Sequence, residues 1–252
     1  MTIFLLQCQD YKQEFEPEPN IFAVMKISSP KYDYQEILVD QTYDIKDTLE
    51  SPEFFEDVIG VTGAKVTVCG LDDTFYFEEA PWGLDQPGHY FTLYQSPLFN
   101  DTTLYTLEVH LPWGDTVTGQ AFMPTPLEII WPEERTYETI SISAELRDSH
   151  RISWNSCNNV SKYVIYCEPY FGLISEGMYF PSFTGDTSYA FFAERNVWPW
   201  SFGKEYELIV VGITPEYDRY TYSSNPGKSN LSSGYGLFGG VTLDTRLIYI
   251  VE

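Results

Sequence analysis

The chain has 252 residues, enough for one large all-β unit or two modest ones. Hydrophobic residues make up 43% and aromatics 17%, with 20 Tyr and 17 Phe, which excludes a disordered chain and favours half-buried strands. The formal net charge of −23, from 37 acidic against 14 basic side chains, disfavours nucleic acid and anionic lipid as partners.

The first residues, Met1-Thr2-Ile3-Phe4-Leu5-Leu6-Gln7-Cys8, form a short apolar run that ends at a cysteine. The run reads as the tail of a bacterial lipoprotein signal whose upstream part is missing from the chain, with Cys8 as the lipidated residue. Glu14, Glu16, Pro17, Glu18 and Pro19 follow, a composition that suits an extended acidic tether over 1–19. No later run reaches the roughly eighteen apolar residues of a spanning helix, so contact with a membrane is expected only through the lipid anchor.

A first group of strands is predicted over 20–124. Ile21 to Ile27 opens it, and Tyr34 to Tyr43 follows with Ile37 and Val39 on one face. Asp44 to Asp57 reads as an acidic loop. In Val61 to Val68, Ala64, Val66 and Val68 point one way and Lys65 and Thr67 the other. Thr74 to Glu78 and His89 to Tyr94 are further strands. Leu104 to Leu111 alternates again, with Tyr105, Leu107, Val109 and Leu111 on the inner face, and Thr116 to Phe122 pairs back on it as a hairpin. Met123-Pro124-Thr125-Pro126 marks the boundary, because its prolines cannot continue a central strand.

A second group is predicted over 125–252: Ile140 to Glu145, Arg151 to Trp154, Lys162 to Glu168, Tyr189 to Phe192, Glu205 to Ile213, and a final pair at Tyr235 to Phe238 and Arg246 to Val251. No amphipathic helix of three turns stands out. The fold class is therefore all-β, two sandwich domains in series.

Chemistry is sparse. No GxSxG elbow or HExxH is present, and no cofactor is implied. His110 reads as a strand surface residue, and His150 beside Asp148 and Ser149 belongs to a turn rather than to a triad, whose members converge from separate elements. The acidic groups Glu14/Glu16/Glu18, Asp72/Asp73 and Glu133/Glu134 read as solvated loops, with Asp72 and Asp73 the weak candidates for calcium. Gly234 to Gly240 lacks the Lys-Ser/Thr of a phosphate loop and reads as a strand making close backbone approaches. Cys157 and Cys167 would form a disulfide if they faced each other across a hairpin; the alternative is two free thiols. Tyr179, Trp198, Trp200 and Phe202, near Phe180, Phe183 and Tyr189 in sequence, form either a ligand platform or a closed sandwich end. Tyr217, Tyr220 and Tyr222 form a second stripe with the same two readings. The sequons at Asn100, Asn159 and Asn230 read as accidental.

Ile152-Ser153-Trp154, Tyr163-Val164-Ile165-Tyr166 and Tyr206 to Ile213 resemble the core strands of a fibronectin type III-like module. The first half, with its Gly63-Ala64 turn, resembles immunoglobulin-like and transthyretin-like regulatory sandwiches. The order of Cys8 and tether, Pro19 to Val24, Val61 to Val68, Leu104 to Val109, Gly114 to Gly119, Met123-Pro124 and Ser229 to Gly239 resembles uncharacterised extracellular lipoproteins of Bacteroidetes-type bacteria. That resemblance implies an extracytoplasmic, cell-surface location and a sandwich fold; the function expected of such a chain is a non-catalytic binding or assembly accessory, with another envelope protein as its partner by analogy with those lipoproteins. The alternatives are a carbohydrate-binding surface protein that uses the Tyr179–Trp200 aromatics on a glycan, and a hydrolase built from scattered carboxylates.

Overall fold

The computed structural model describes residues 16–27, 34–42, 60–71, 73–80, 87–92, 99–133, 138–141, 151–169, 182–190, 204–222 and 229–251. The protein is all-β, with strands enclosing two hydrophobic cores.

The first core lies between two layers. One contains β1 (Pro19–Ile27), β2 (Glu36–Gln41) and β5 (His89–Phe91); the other contains β3 (Lys65–Cys69), β4 (Thr74–Glu79), β6 (Leu104–His110) and β7 (Thr116–Phe122). The layers meet at a short corner where Glu78 and Glu79 pair with Phe91 and Tyr90. Alternation decides what is buried. Ile21, Ala23, Met25 and Ile27 point inward from β1, and Tyr105, Leu107 and Val109 from β6, as the period-two pattern requires. The Tyr90 hydroxyl donates to the Val61 carbonyl at 2.8 Å and accepts from the Ala64 N–H at 2.9 Å, so its burial leaves no orphaned oxygen.

The second core is a sandwich of unequal layers. Its small sheet is β8 (Ile129–Trp131), β10 (Ile152–Trp154) and β13 (Ser188–Tyr189). Facing it are β11 (Lys162–Pro169), β12 (Ser182–Thr184), β14 (Lys204–Ile213) and β15 (Tyr235–Val251), with β9 (Glu138–Ser141) paired in parallel to the end of β15. Trp154 is fully buried and meets Tyr163 edge-on at 5.2 Å, while Tyr206 packs across from β14. Trp154 and Tyr206 thus share one core between the two layers.

The expected C-terminal pair of strands is instead one strand of 17 residues. Gly239 and Gly240 do not break it. A Cβ at Gly239 would lie 2.8 Å from Thr214 Oγ1, and one at Gly240 2.8 Å from Pro124 and 2.9 Å from Met123, so a side chain would not fit at either. The first half of β15 pairs in parallel with β1 and adds Phe238 to the first core; its second half pairs with β14 and adds Ile248 to the second. Asn230 closes the first sandwich on the other side: its amide donates to the Gln120 and Phe238 carbonyls and accepts from the Phe238 N–H.

Three elements went unpredicted: β8, β12 and an eight-residue helix, α1 (Pro215–Tyr222). The Cys157–Cys167 disulfide is corrected. Both are free thiols, because the neighbours of β11 are β12 and β14, Cys167 lies opposite Leu208, and Cys157 sits in the turn before the strand. Burial pushes both thiols above their ordinary range, which keeps them protonated and unreactive.

Candidate functional site

α1 begins where Thr214-Pro215-Glu216 supplies a capping residue, a proline fitted to the first helical turn, and an acid near the positive end of the helix. Thr214 is buried; its hydroxyl accepts from the Gly240 N–H at 3.2 Å, which fixes the helix start to β15. The helix buries none of its own residues completely. It therefore lies on the sheet surface and presents its tyrosines at the rim.

Those tyrosines bind the helix to three strands and form an aromatic ledge. Tyr220 meets Phe22 of β1 edge-on at 5.6 Å, and Tyr222 meets Phe183 of β12 edge-on at 5.0 Å. Tyr217 lies 6.4 Å from Tyr222. Lys162, at the start of β11, places its ammonium 5.7 Å from the Phe183 ring and 5.8 Å from Tyr222, within cation–π range of both. Asp218 holds that ammonium at 2.6 Å and also accepts from the Ser161 hydroxyl at 3.1 Å. Phe183 and Tyr222 nevertheless remain 43% and 42% exposed. Two large rings held by a helix and an edge strand, and still open to water, are a feature of contact surfaces rather than of cores.

A second concave feature lies at the junction of the two cores. Gly70, Leu71 and Asp73, residues 99–103 and the linker 124–126 border an open cleft of about 680 Å³. Its walls are tied together. The Asn159 amide donates to the Asp101 and Met123 carbonyls at 2.6 and 2.9 Å, and the Asn158 amide donates to the Asp101 carboxylate at 2.7 Å. Asn159 takes φ of 58°, a conformation its short polar side chain tolerates.

Three further titratable groups have structural surroundings: His89, His110 and Asp40. His89 binds Glu36 at 2.6 Å, and His110 is a surface residue bonded to Thr116, as expected. Asp40 is only 8% exposed, and burial pushes its carboxyl up to about 6 against the opposing pull of His89. A raised acid favours folding while the group is protonated, so this contribution is complete below the ordinary carboxylate range and is lost as pH rises through about 6. Asp40→Asn is expected to flatten that part of the stability-against-pH curve and to gain roughly 1–3 kcal/mol at neutral pH, read by urea unfolding at a series of pH values. A wild-type curve flat from pH 4 to pH 7 would contradict the assignment.

The structure treats the predicted site residues unevenly. Cys8, Asp72, Tyr179, Trp198, Trp200, Phe202 and His150 lie outside the described residues. Asp73 is exposed in its turn and lines the cleft. No group of three or more His, Cys, Asp or Glu among the described residues is placed to hold a metal ion. Of the aromatic candidates, Phe183 and Tyr217, Tyr220 and Tyr222 come together on the ledge. The sequence reading missed Lys162 and Asp218, which join them only through the packing of α1 against β11. The Thr-Pro-Glu start signal was the available clue.

No family model matches the chain, and no curated protein matches it. Among solved structures, the chain is similar to the FN1–FN3 domains of chicken CNTN1, with 12% identity over 93% of this chain and 68% of that one and a TM-score of 0.26. It is also similar to the IG1 and IG2 domains of DIP-gamma, with 8% identity over 88% of this chain and 97% of that one and a TM-score of 0.21. The fold described above rests on strand order and packing, not on these distant likenesses.

Proposed function

We propose that the chain is a non-catalytic binding or assembly accessory for another envelope protein, held at the outer surface of the cell by a lipid on Cys8. The observation that carries this reading is the ledge of Phe183, Tyr222 and Lys162, presented by a surface helix and an edge strand and left open to solvent. Aromatic rings with a nearby cation anchor protein interfaces because they bury much area at small entropic cost. The buried thiols and phenols fit the same reading. Tyr90 and Tyr163 are bonded to backbone groups, and Cys157 and Cys167 belong to the second core, so none is free to act on a substrate.

The test places a photo-crosslinking residue beside the ledge at Arg219 and captures partners from the native envelope. A single envelope protein is expected. Its yield should fall about tenfold in Phe183→Ala/Tyr222→Ala, with the melting temperature lowered by only a few degrees, since both rings are partly exposed. Equal capture by wild type and variant, or capture of nothing above background, would reject the reading.

A further inference from the structure

We infer that the junction cleft is a second docking site, which takes an extended segment of a partner protein carrying Lys or Arg beside apolar side chains. The charged side chains among its described lining are Asp73 and Asp101, both acidic, in a chain of formal net charge −23. That field draws in a cationic group and turns away an acidic one. Beside the cleft runs an apolar ridge. Leu104 of β6 pairs with Phe122 of β7 on the outer face, and they are 44% and 43% exposed. Leu71, 86% exposed, sits at the cleft rim in the turn after β3. Cys69 pairs with Thr106, and Gly70 lies against Tyr105 and Thr103, so Leu71 follows onto the flank of the β6 entry. Acidic lining and apolar neighbours together match a segment with both kinds of side chain, where a purely basic chain would leave the ridge uncovered.

The cleft is preformed. The Asn158 and Asn159 bonds to residue 101 and the linker hold its walls at a fixed separation, and the Tyr105 hydroxyl accepts from the Asn100 N–H at 2.8 Å. A bound segment therefore orders only itself. This inference takes from the proposed function only that the partner is a protein, and it concerns a face separate from the ledge.

The probe is a labelled decapeptide of repeating Lys-Leu-Lys-Ser, titrated against the full chain by fluorescence anisotropy and carrying a benzophenone for mapping. Asp73→Lys and Leu71→Ser are each expected to weaken binding about tenfold, and a Lys-Gly-Lys-Ser control peptide should bind as weakly as the wild-type peptide binds Leu71→Ser. Tyr222→Ala should leave binding unchanged. Crosslinks should map to residues 70–73, 99–103 or 124–126. Asp73 and Leu71 are exposed, so both variants are expected to keep the wild-type melting curve. Equal binding by all variants and both peptides, or crosslinks scattered over the acidic surface, would show diffuse attraction and overturn the site. Loss of envelope capture at the ledge with cleft binding intact would overturn the proposed function alone.

Discussion

Gly236→Ala is expected to destabilise the protein by at least about 4 kcal/mol, a large fraction of the stability of an ordinary domain. Gly236 has φ of +103°, and a Cβ built there would lie 1.8 Å from the Ile21 carbonyl oxygen of its ladder partner strand. Backbone cannot yield as a flexible side chain would, so the substitution must push β15 off β1. Gly63→Ala is the matched control. It also has positive φ, +74°, but nothing lies within 4 Å of the added carbon. Its loss should stay near the conformational cost alone, about 1–2 kcal/mol. Urea midpoints of the two variants measure the difference. Equal losses would mean that close passage along β1 carries no weight.

Arg246→Met follows, with an expected loss of about 3–5 kcal/mol. Arg246 is 8% exposed. Its guanidinium meets the Asp244 carboxylate at 2.6 Å and donates to the Ile129 carbonyl at 2.7 Å, while Asp244 accepts from the Ile129 N–H at 2.8 Å. Two side chains of β15 thus hold both backbone groups of one β8 residue. Removing the guanidinium leaves a partly buried carboxylate and a carbonyl unpaired. Arg246→Met/Asp244→Asn should recover part of the loss, because an amide still accepts from Ile129 and carries no uncompensated charge. Arg246→Lys should fall between, since one ammonium replaces a fork that reaches the Asp244 carboxylate and the Thr245 and Ile129 carbonyls. A double variant less stable than Arg246→Met would contradict this account of the clasp.

Strand faces were the most legible feature of the sequence. Alternation set Tyr105, Leu107, Val109 and Leu111 on one face and His110 on the other, and the resemblance of the second half put Trp154 and Tyr206 in one core. It failed where strands are too short to alternate: β8 and β12 have three residues each. It also failed at Gly239-Gly240, where glycine permits a long strand to run close past its neighbours and so resembles a break. α1 went unread because a helix lying on a surface with no completely buried residue leaves no apolar stripe. Its start signal was present, yet a tyrosine stripe does not reveal which partners will cover it. The Lys162–Asp218 pair and the clasp of Arg246 and Asp244 on Ile129 could not be read at all, since each depends on elements far apart in the chain meeting in space.

β15 belongs to both cores and so should couple their stabilities. Native-state hydrogen exchange on the intact chain tests this most directly, through the amides of Val109 in the first core and Ile165 in the second. Their opening free energies should agree within about 1 kcal/mol, and a mildly destabilising change in β15 should lower both together. An Ile165 amide that stays protected while Val109 exchanges freely would mean two sandwiches opening independently.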